Sequence, residues 1–360
     1  MTTSIMWFES YWEGMKPEVG GKAASLGEMI GAGLPVPPGF ALTTQAFRTC
    51  RDAAGLDDTL VRLLDGLDVT DMAMVSDRCG SIRDAIRAMP MDPEVEQALR
   101  HSYDELSRRT GVTDIPVAVR SSATSEDSPD ASFAGEHDTY LWIRGGDDVV
   151  DAVRRCWASL FTDRATCYRV EMGYDHRSVE MSVVVQKMVR PISAGVAFTL
   201  NPSDGDRSTV AIDSAWGFGE GVVSGEITPD NFLVDKVLYE ISRRAVSTKE
   251  HEYRLTDHDT VEKVAIEGDR ASEPSLTDIQ LKAIARLARS AERHYGCPQD
   301  IEWAVDADLP DAENIILLQA RPETVWSKKT ARTASTAASA DMMSSIVSTL
   351  MSPLHTKADG

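Results

Sequence analysis

No run of about 18 apolar residues occurs anywhere in this chain, so nothing in it suggests a membrane span. The start, MTTSIMWFESYWEGMK, lacks the basic stretch followed by an apolar one that marks a secretory leader, and no signal peptide is expected. Cysteine is scarce. The five present (Cys50, Cys79, Cys156, Cys167 and Cys297) are scattered, odd in number and form no CxxC pair. That argues against a disulfide framework and suits free thiols in a reducing cytoplasm. Positive charge is also in short supply: 37 Lys and Arg stand against 57 Asp and Glu, a formal net charge of −20. A balance of that sign argues against a general binder of nucleic acid or anionic membrane. It leaves room for a local basic pocket that takes a small phosphorylated molecule.

What is present reads as soluble and globular, with 42% hydrophobic and 26% charged residues over 360 positions. That length exceeds what one hydrophobic core usually serves, so two lobes are expected. The first half is rich in helical spacing. Residues 20–31 read as a short helix, a new helix is expected near Thr44, residues 56–108 are mostly helical with a break at AMPMDP, and residues 147–172 are helical again. Between them, GLPVPPGFALTT must run extended because of its prolines, and IPVAVRSSA reads as a buried strand leading into a polar loop. The second half changes to short β-branched runs: MSVVVQKMV, SAGVAFTL, STVAIDSAWG and DNFLVDK. One helix follows from about Thr277 to Tyr295, with Thr277 and Gln280 as a capping box and Gly296 as its stop. DIEWAVD and NIILLQARP then close as a strand pair. The expected class is α+β, with lobes over 1–190 and 191–326. Residues 327–360 read as a low-complexity linker ending in an amphipathic segment that docks on a partner or packs on its own domain.

Five stretches could carry chemistry. In VGGKAASLGEM, Lys22 follows Gly20 and Gly21 at a helix start, where free N–H groups favour an anion. A Walker motif is excluded, because Lys16 stands where its first glycine should be and Ala23 where its hydroxyl should be. Read alone, Lys22 is a phosphate contact or a solvated lysine. In VAVRSSATSEDSPDASFAGEHDTY, Arg120 leaves an apolar strand into a long hydroxyl- and Gly-rich loop. Its guanidinium can grip phosphate in a bidentate fork or pair with a loop aspartate. In DIEWAVD...NIILLQARPET, Asp300 and Glu302 share one strand face, and Gln319 and Arg321 share a face of the next. Across a hairpin these two carboxylates, one amide and one guanidinium can converge, a donor set that suits Mg²⁺ beside phosphate; the alternative is a surface ion pair, against which the flanking Ile301, Trp303, Leu317 and Leu318 suggest a covered sheet. VVVQKMVRP reads as a core strand whose backbone could meet a purine edge. SAWGFGEGVVSGEITPDNF, with Glu220 and Glu226, reads as a glycine-rich turn.

Taken in order, these stretches closely resemble the N-terminal ATP-binding domain of the phosphoenolpyruvate synthase and pyruvate phosphate dikinase family, over about residues 15–326. Rifampin phosphotransferase has a similar domain. The resemblance implies a two-lobed ATP-grasp-like fold with ATP between the lobes. It implies that Lys22 and Arg120 contact the ATP phosphates and that Gly135 belongs to the loop lying over them. Gln186, Lys187, Met188 and Val189 match the adenine-side strand. Glu302 and Gln319 match Mg²⁺ ligands, Asp300 lies near metal and phosphates, and Arg321 grips the terminal phosphate. Lys22, Arg120 and Arg321 are the residues expected to act in catalysis.

Members of this family pass the β-phosphate of ATP to a histidine in a T-S-H-A-like motif on a swivelling domain, leaving AMP. None of the seven histidines here (His101, His137, His176, His251, His258, His294 and His355) lies in such a motif. No swivelling domain is expected after residue 326. The resemblance therefore extends to split members such as phenylphosphate synthase, in which a separate subunit carries the histidine and a phenol-binding site. The expectation is a cytoplasmic catalytic subunit that uses ATP and Mg²⁺ and works with such a partner. The same module serving pyruvate or an antibiotic, and a non-catalytic nucleotide-binding regulator, stand as alternatives.

Overall fold

The computed structural model describes residues 4–123, 139–311 and 313–323. Two antiparallel sheets dominate, and one helix packs between them. In chain order the first half runs β1 (Ile5–Trp7), α1 (Lys16–Gly31), β2 (Gly39–Leu42), α2 (Thr44–Ala53), α3 (Leu56–Leu64), α4 (Met72–Ala88), α5 (Pro93–Thr110), β3 (Val117–Ala123), β4 (Thr139–Ile143), α6 (Gly146–Ala158), α7 (Asp163–Glu171) and β5 (Met181–Lys187). The second half runs β6 (Pro191–Phe198), β7 (Thr209–Trp216), α8 (Glu220–Val223), β8 (Asp230–Asp235), β9 (Ile241–Ala245), β10 (His251–Leu255), β11 (Val261–Ala265), α9 (Asp278–Tyr295), β12 (Gln299–Asp306) and β13 (Ile315–Pro322). The first sheet has the order β1-β2-β5-β3-β4 and the second β13-β12-β6-β7-β8-β9, with β10-β11 as a separate hairpin.

Strand periodicity explains how the first sheet is covered. Val117, Val119, Val183, Val185, Phe40 and Leu42 point to one face, into a core shared with α2 to α6. Ala41 and Val184 point to the other, into a core that also takes Val19, Ala23, Leu26 and Met29 of α1. The same core takes Ala197, Val210, Ile212, Phe232, Ile301, Trp303 and Leu317 of the second sheet. It thus draws on both halves of the chain.

Local signals set the helix ends. Thr277 Oγ1 accepts from the Gln280 N–H at 3.3 Å and Gln280 Oε1 accepts from the Thr277 N–H at 2.9 Å, the expected capping box of α9. Gly296, at φ 69°, ends that helix. Leu281, Ile284, Ala285, Ala288 and Ala291 form its buried stripe.

The helix expected over 20–31 begins earlier, at Lys16, but Gly20 breaks it with φ 71° and ψ 176°. A Cβ at Gly20 would lie 2.3 Å from the Ser122 carbonyl oxygen and 2.6 Å from its Oγ. Here α1 and β3 approach so closely that only glycine fits. β9 and β11 are strands with little apolar character and mostly exposed, β10 between them is half-buried with Glu252 inside, and the residues between β8 and α9 carry no clear strand pattern in sequence. The glycine-rich turn after β7 contains a helical turn, α8. The tail over 327–360 lies outside the described residues. No helix among those described is long and apolar enough to cross a membrane.

Candidate functional site

The hairpin β12–β13 brings its polar residues into register. Asp300 stands opposite Arg321 and Glu302 opposite Gln319. Glu302 and Gln319 are followed by the pair Trp303 and Leu317, so Leu318 is an extra residue in β13. That bulge re-aims the strand. Leu317 and Ala320 face the core beneath α9, while Leu318 packs with Ala194, Ala304 and Ile316 on the opposite side. Without the extra residue, strict alternation would place Gln319 on the same face as Leu317. With it, Gln319 and Arg321 join Glu302 and Asp300 on the face turned away from that core.

Arg120 reaches these oxygens from the first sheet. On β3, Ser122 faces α1, so alternation puts Arg120 on the same side. One terminal nitrogen, Nη2, donates to Gln319 Oε1 at 2.9 Å and lies 3.5 Å from Glu302 Oε2. The Arg120 side chain is 15% exposed and that of Glu302 29%. The Nε–H of Arg120 is buried and has no hydrogen-bond partner among the described residues. Three residues singled out in the sequence, separated by about two hundred positions, therefore meet between the two sheets.

Lys22 is tied to the same strand. Its ammonium donates to the Ser121 carbonyl at 3.1 Å. Ser122 Oγ donates to the Val19 carbonyl at 2.8 Å and accepts from the Ala23 N–H at 3.2 Å, clamping both sides of the Gly20 break. That N–H is thus already used by protein and is not open to an anion. Along the hairpin, Arg321 Nε lies 3.7 Å from Asp300 Oδ2, while Asp300 Oδ1 is buried without a hydrogen-bond partner among the described residues. Burial pushes the Asp300 carboxyl up to about 6, with Arg321 opposing the rise and Glu323 adding to it.

Gln186 stands on the same face of the first sheet as Arg120, two positions along β5 from Val184, which pairs with Arg120. Its side chain is buried and donates to the Pro37 carbonyl at 3.2 Å. The N–H groups of Lys187 and Met188 donate to the Pro38 and Pro116 carbonyls, both at 2.9 Å. Those two donors are spent, so the expected purine contact rests on what remains of the segment. Val189 packs against Ala194, Ala304 and Ile316. Gly135 lies outside the described residues. The concavities lined by Met91, Glu96 and Arg100, and by Glu13, Lys16 and Glu180, contain none of these site residues.

Glu220 also belongs here, although its sequence context is a glycine-rich turn. Glu220, first in α8, has its carboxyl pushed above the usual range by desolvation and then by the Glu302 carboxylate, with Arg120 opposing. A glycine-rich segment hides such a residue, because the short helix that positions it packs on β6 and β7 rather than showing periodicity of its own.

The donor set fits a hard cation. Glu302 and Gln319 offer one carboxylate and one amide oxygen, both already facing a positive charge. Among the described residues no group of three or more His, Cys, Asp or Glu gathers as a metal cage. A pair of oxygens is what a magnesium ion needs from protein when phosphates supply others.

Comparison with known proteins follows the same lines. The family described as "Pyruvate phosphate dikinase, AMP/ATP-binding domain" matches residues 16–342. A protein from Staphylothermus marinus named "Probable phosphoenolpyruvate synthase" is 44% identical over 345 residues, covering 90% of this chain and 41% of its own length. Proteins named "Phosphoenolpyruvate synthase" from Pyrococcus furiosus and Escherichia coli are 40% and 41% identical, over 89% and 90% of this chain. This chain spans less than half of each of these relatives, 44% and 42% for the latter two.

Proposed function

The chain belongs to the family of the pyruvate phosphate dikinase AMP/ATP-binding domain, and from that premise we propose that it binds MgATP between its two sheets as the catalytic part of a dikinase-type phosphotransferase. The β-phosphate of ATP passes to a histidine on a partner subunit, AMP is left, and the terminal phosphoryl group is transferred to water and leaves as phosphate. The observation that carries this reading is the meeting of Arg120 with Glu302 and Gln319 across the sheets.

Each side chain has a part in it. Arg120 and Lys22 lie on adjoining pieces of β3 and α1 and offset charge on the bridging phosphates. Arg321, 59% exposed at the end of β13, is free to turn from Asp300 to a terminal phosphate. Glu302 and Gln319 hold Mg²⁺, which supplies charge neutralisation and a fixed orientation for the polyphosphate. Gln186 to Val189 border the base. Phosphoryl transfer asks the protein mainly for positioning and charge stabilisation, so this chain needs no nucleophile of its own. The resulting shape is ATP-grasp-like, with the nucleotide gripped between two lobes.

On this reading the partner subunit decides the acceptor beyond the histidine. The resemblance to split enzymes favours a phenol-like alcohol. The names of the relatives support a second reading, pyruvate as the acceptor. The test is to incubate the chain with its co-purifying partner, Mg²⁺ and ATP labelled at the β-phosphate. Label on a partner histidine, with AMP and phosphate in equal amounts, is the expected result. ADP as the sole nucleotide product would sink the dikinase reading. Phenol or pyruvate added afterwards then identifies the acceptor by which one removes the label.

A further inference from the structure

In the free protein, the phosphate-binding arginine sits on the metal-binding oxygens. Arg120 Nη2 shares its hydrogens between Gln319 Oε1 at 2.9 Å and Glu302 Oε2 at 3.5 Å. It is the guanidinium of one sheet meeting the carboxylate and amide of the other, with side chains 15% and 29% exposed for Arg120 and Glu302. Its engagement is incomplete. The contact to Glu302 is at the outer limit of a hydrogen bond, and the buried Nε–H has no partner among the described residues. A guanidinium can donate five hydrogens in a planar fork and is best satisfied by two oxygens of one anion. Arg120 has instead one nitrogen divided between two oxygens on different side chains.

We infer that Arg120 is an internal counter-cation that couples metal binding to nucleotide binding. This rests on the proposed ATP and Mg²⁺ reading of the site. Without ligand, its positive charge offsets Glu302 and occupies the oxygens a divalent cation would use. A cation arriving alone must displace a hydrogen-bonded guanidinium from Gln319 and Glu302 within a partly buried space, which is costly. A nucleotide arriving alone must draw Arg120 away and leave Glu302 uncompensated beside Glu220. When both arrive together, the exchange is balanced: the cation takes the Glu302 and Gln319 oxygens, and Arg120 turns its fork, including the unspent Nε–H, to phosphate. Metal and nucleotide thereby raise each other's affinity by the same factor, as linkage requires. The arrangement also discourages a free divalent cation from settling in the site ahead of substrate.

The test is metal binding to the nucleotide-free protein, read by titration with Mn²⁺ and electron paramagnetic resonance. Arg120→Gln removes the charge, and Arg120→Lys keeps it. The glutamine variant is expected to bind free Mn²⁺ at least about fivefold more tightly than wild type, the low end of ordinary coupling energies. The lysine variant stays near wild type. In the glutamine variant, the gain in Mn²⁺ affinity caused by the α,β-methylene analogue of ATP shrinks by a similar factor. Arg120→Met, which keeps the stem without the charge, serves if the glutamine variant fails to fold. Unchanged or weaker free-Mn²⁺ binding in a folded, uncharged variant overturns the inference. Glu302→Gln separates the two levels. If it leaves Mn²⁺ and analogue binding intact, the reading of the site falls. If it abolishes them while removal of the Arg120 charge changes nothing, only the coupling falls.

Discussion

Gly20→Ala tests the joint between α1 and β3, on which both Lys22 and Arg120 depend. At φ 71° and ψ 176°, Gly20 occupies a backbone region that is essentially closed to other residues. Holding alanine there costs about 1–3 kcal/mol. The added Cβ would also fall 2.3 Å from the Ser122 carbonyl oxygen, which is strand backbone and cannot rotate away. Forcing the two elements apart adds about 1–3 kcal/mol more, as in other overpacked sites. The expected loss is therefore about 2–6 kcal/mol, a large share of the roughly 5–15 kcal/mol that holds a typical domain. Urea unfolding followed by circular dichroism measures it. Gly31→Ala is the matched control at the other end of α1, where a Cβ meets nothing within 4 Å. It should be neutral or stabilising by up to about 1 kcal/mol. Where Gly20→Ala still folds, separation of α1 from β3 should also weaken ATP binding, because Lys22 reaches Ser121 across that joint. A Gly20→Ala protein within about 1 kcal/mol of wild type would refute the claim that the close approach requires glycine.

Two further predictions lie away from the site. Desolvation, and then Arg169, hold the His176 imidazole down at about 4, so it stays neutral where an unfolded histidine, near 6.5, takes a proton. A depressed histidine leaves stability intact above pH 6.5 and loses it as pH falls towards 4. Unfolding of wild type and His176→Asn at pH 7.5 and 4.5 should show a smaller pH dependence in the variant, and equal slopes would contradict it. Lys249 Nζ lies 2.6 Å from Asp230 Oδ1 with both side chains fully buried, so Lys249→Met strands a carboxylate and should cost about 3–5 kcal/mol by thermal unfolding. A change below about 1 kcal/mol would mean that Asp230 is held well enough by Ser247 and Ser275 alone.

Several parts of the fold were readable from local chemistry. The capping box at Thr277, the stop at Gly296 and the facing pairs of the last hairpin are short-range signals, and the structure carries them out. Lys22 was ambiguous for the opposite reason. What places its ammonium is the Ser121 carbonyl, about a hundred positions away, and no local pattern contains that contact. The bulge at Leu318 was equally hidden, since QAR reads as plain alternation and only pairing with Glu302 reveals the extra residue. β9 and β11 are hard to read because strands this exposed carry little of the apolar alternation by which strands are recognised, and β10 buries a glutamate, Glu252, rather than an apolar side chain. Glu220 was seen but left without a role, because its neighbours Glu302 and Arg120 come from two other elements.

The contact between the first helix and the last strand has a consequence for synthesis. Ser25 Oγ donates to the Ala320 carbonyl at 2.9 Å, and the Leu317 N–H donates to the Pro35 carbonyl at 2.8 Å. A chain emerging from the ribosome can close its first sheet once β5 is out, but β12 and β13 must follow before α1 is covered on its second side. At about 5–20 residues per second, an unfinished chain waits roughly 7–27 s, the time from the end of β5 to the end of β13, with that face of α1 bare. During that wait it has no Glu302, Gln319 or Arg321, and so cannot sequester nucleotide. The same interval is when a chaperone would find α1 exposed, and a translation pause placed between β5 and β12 would lengthen it.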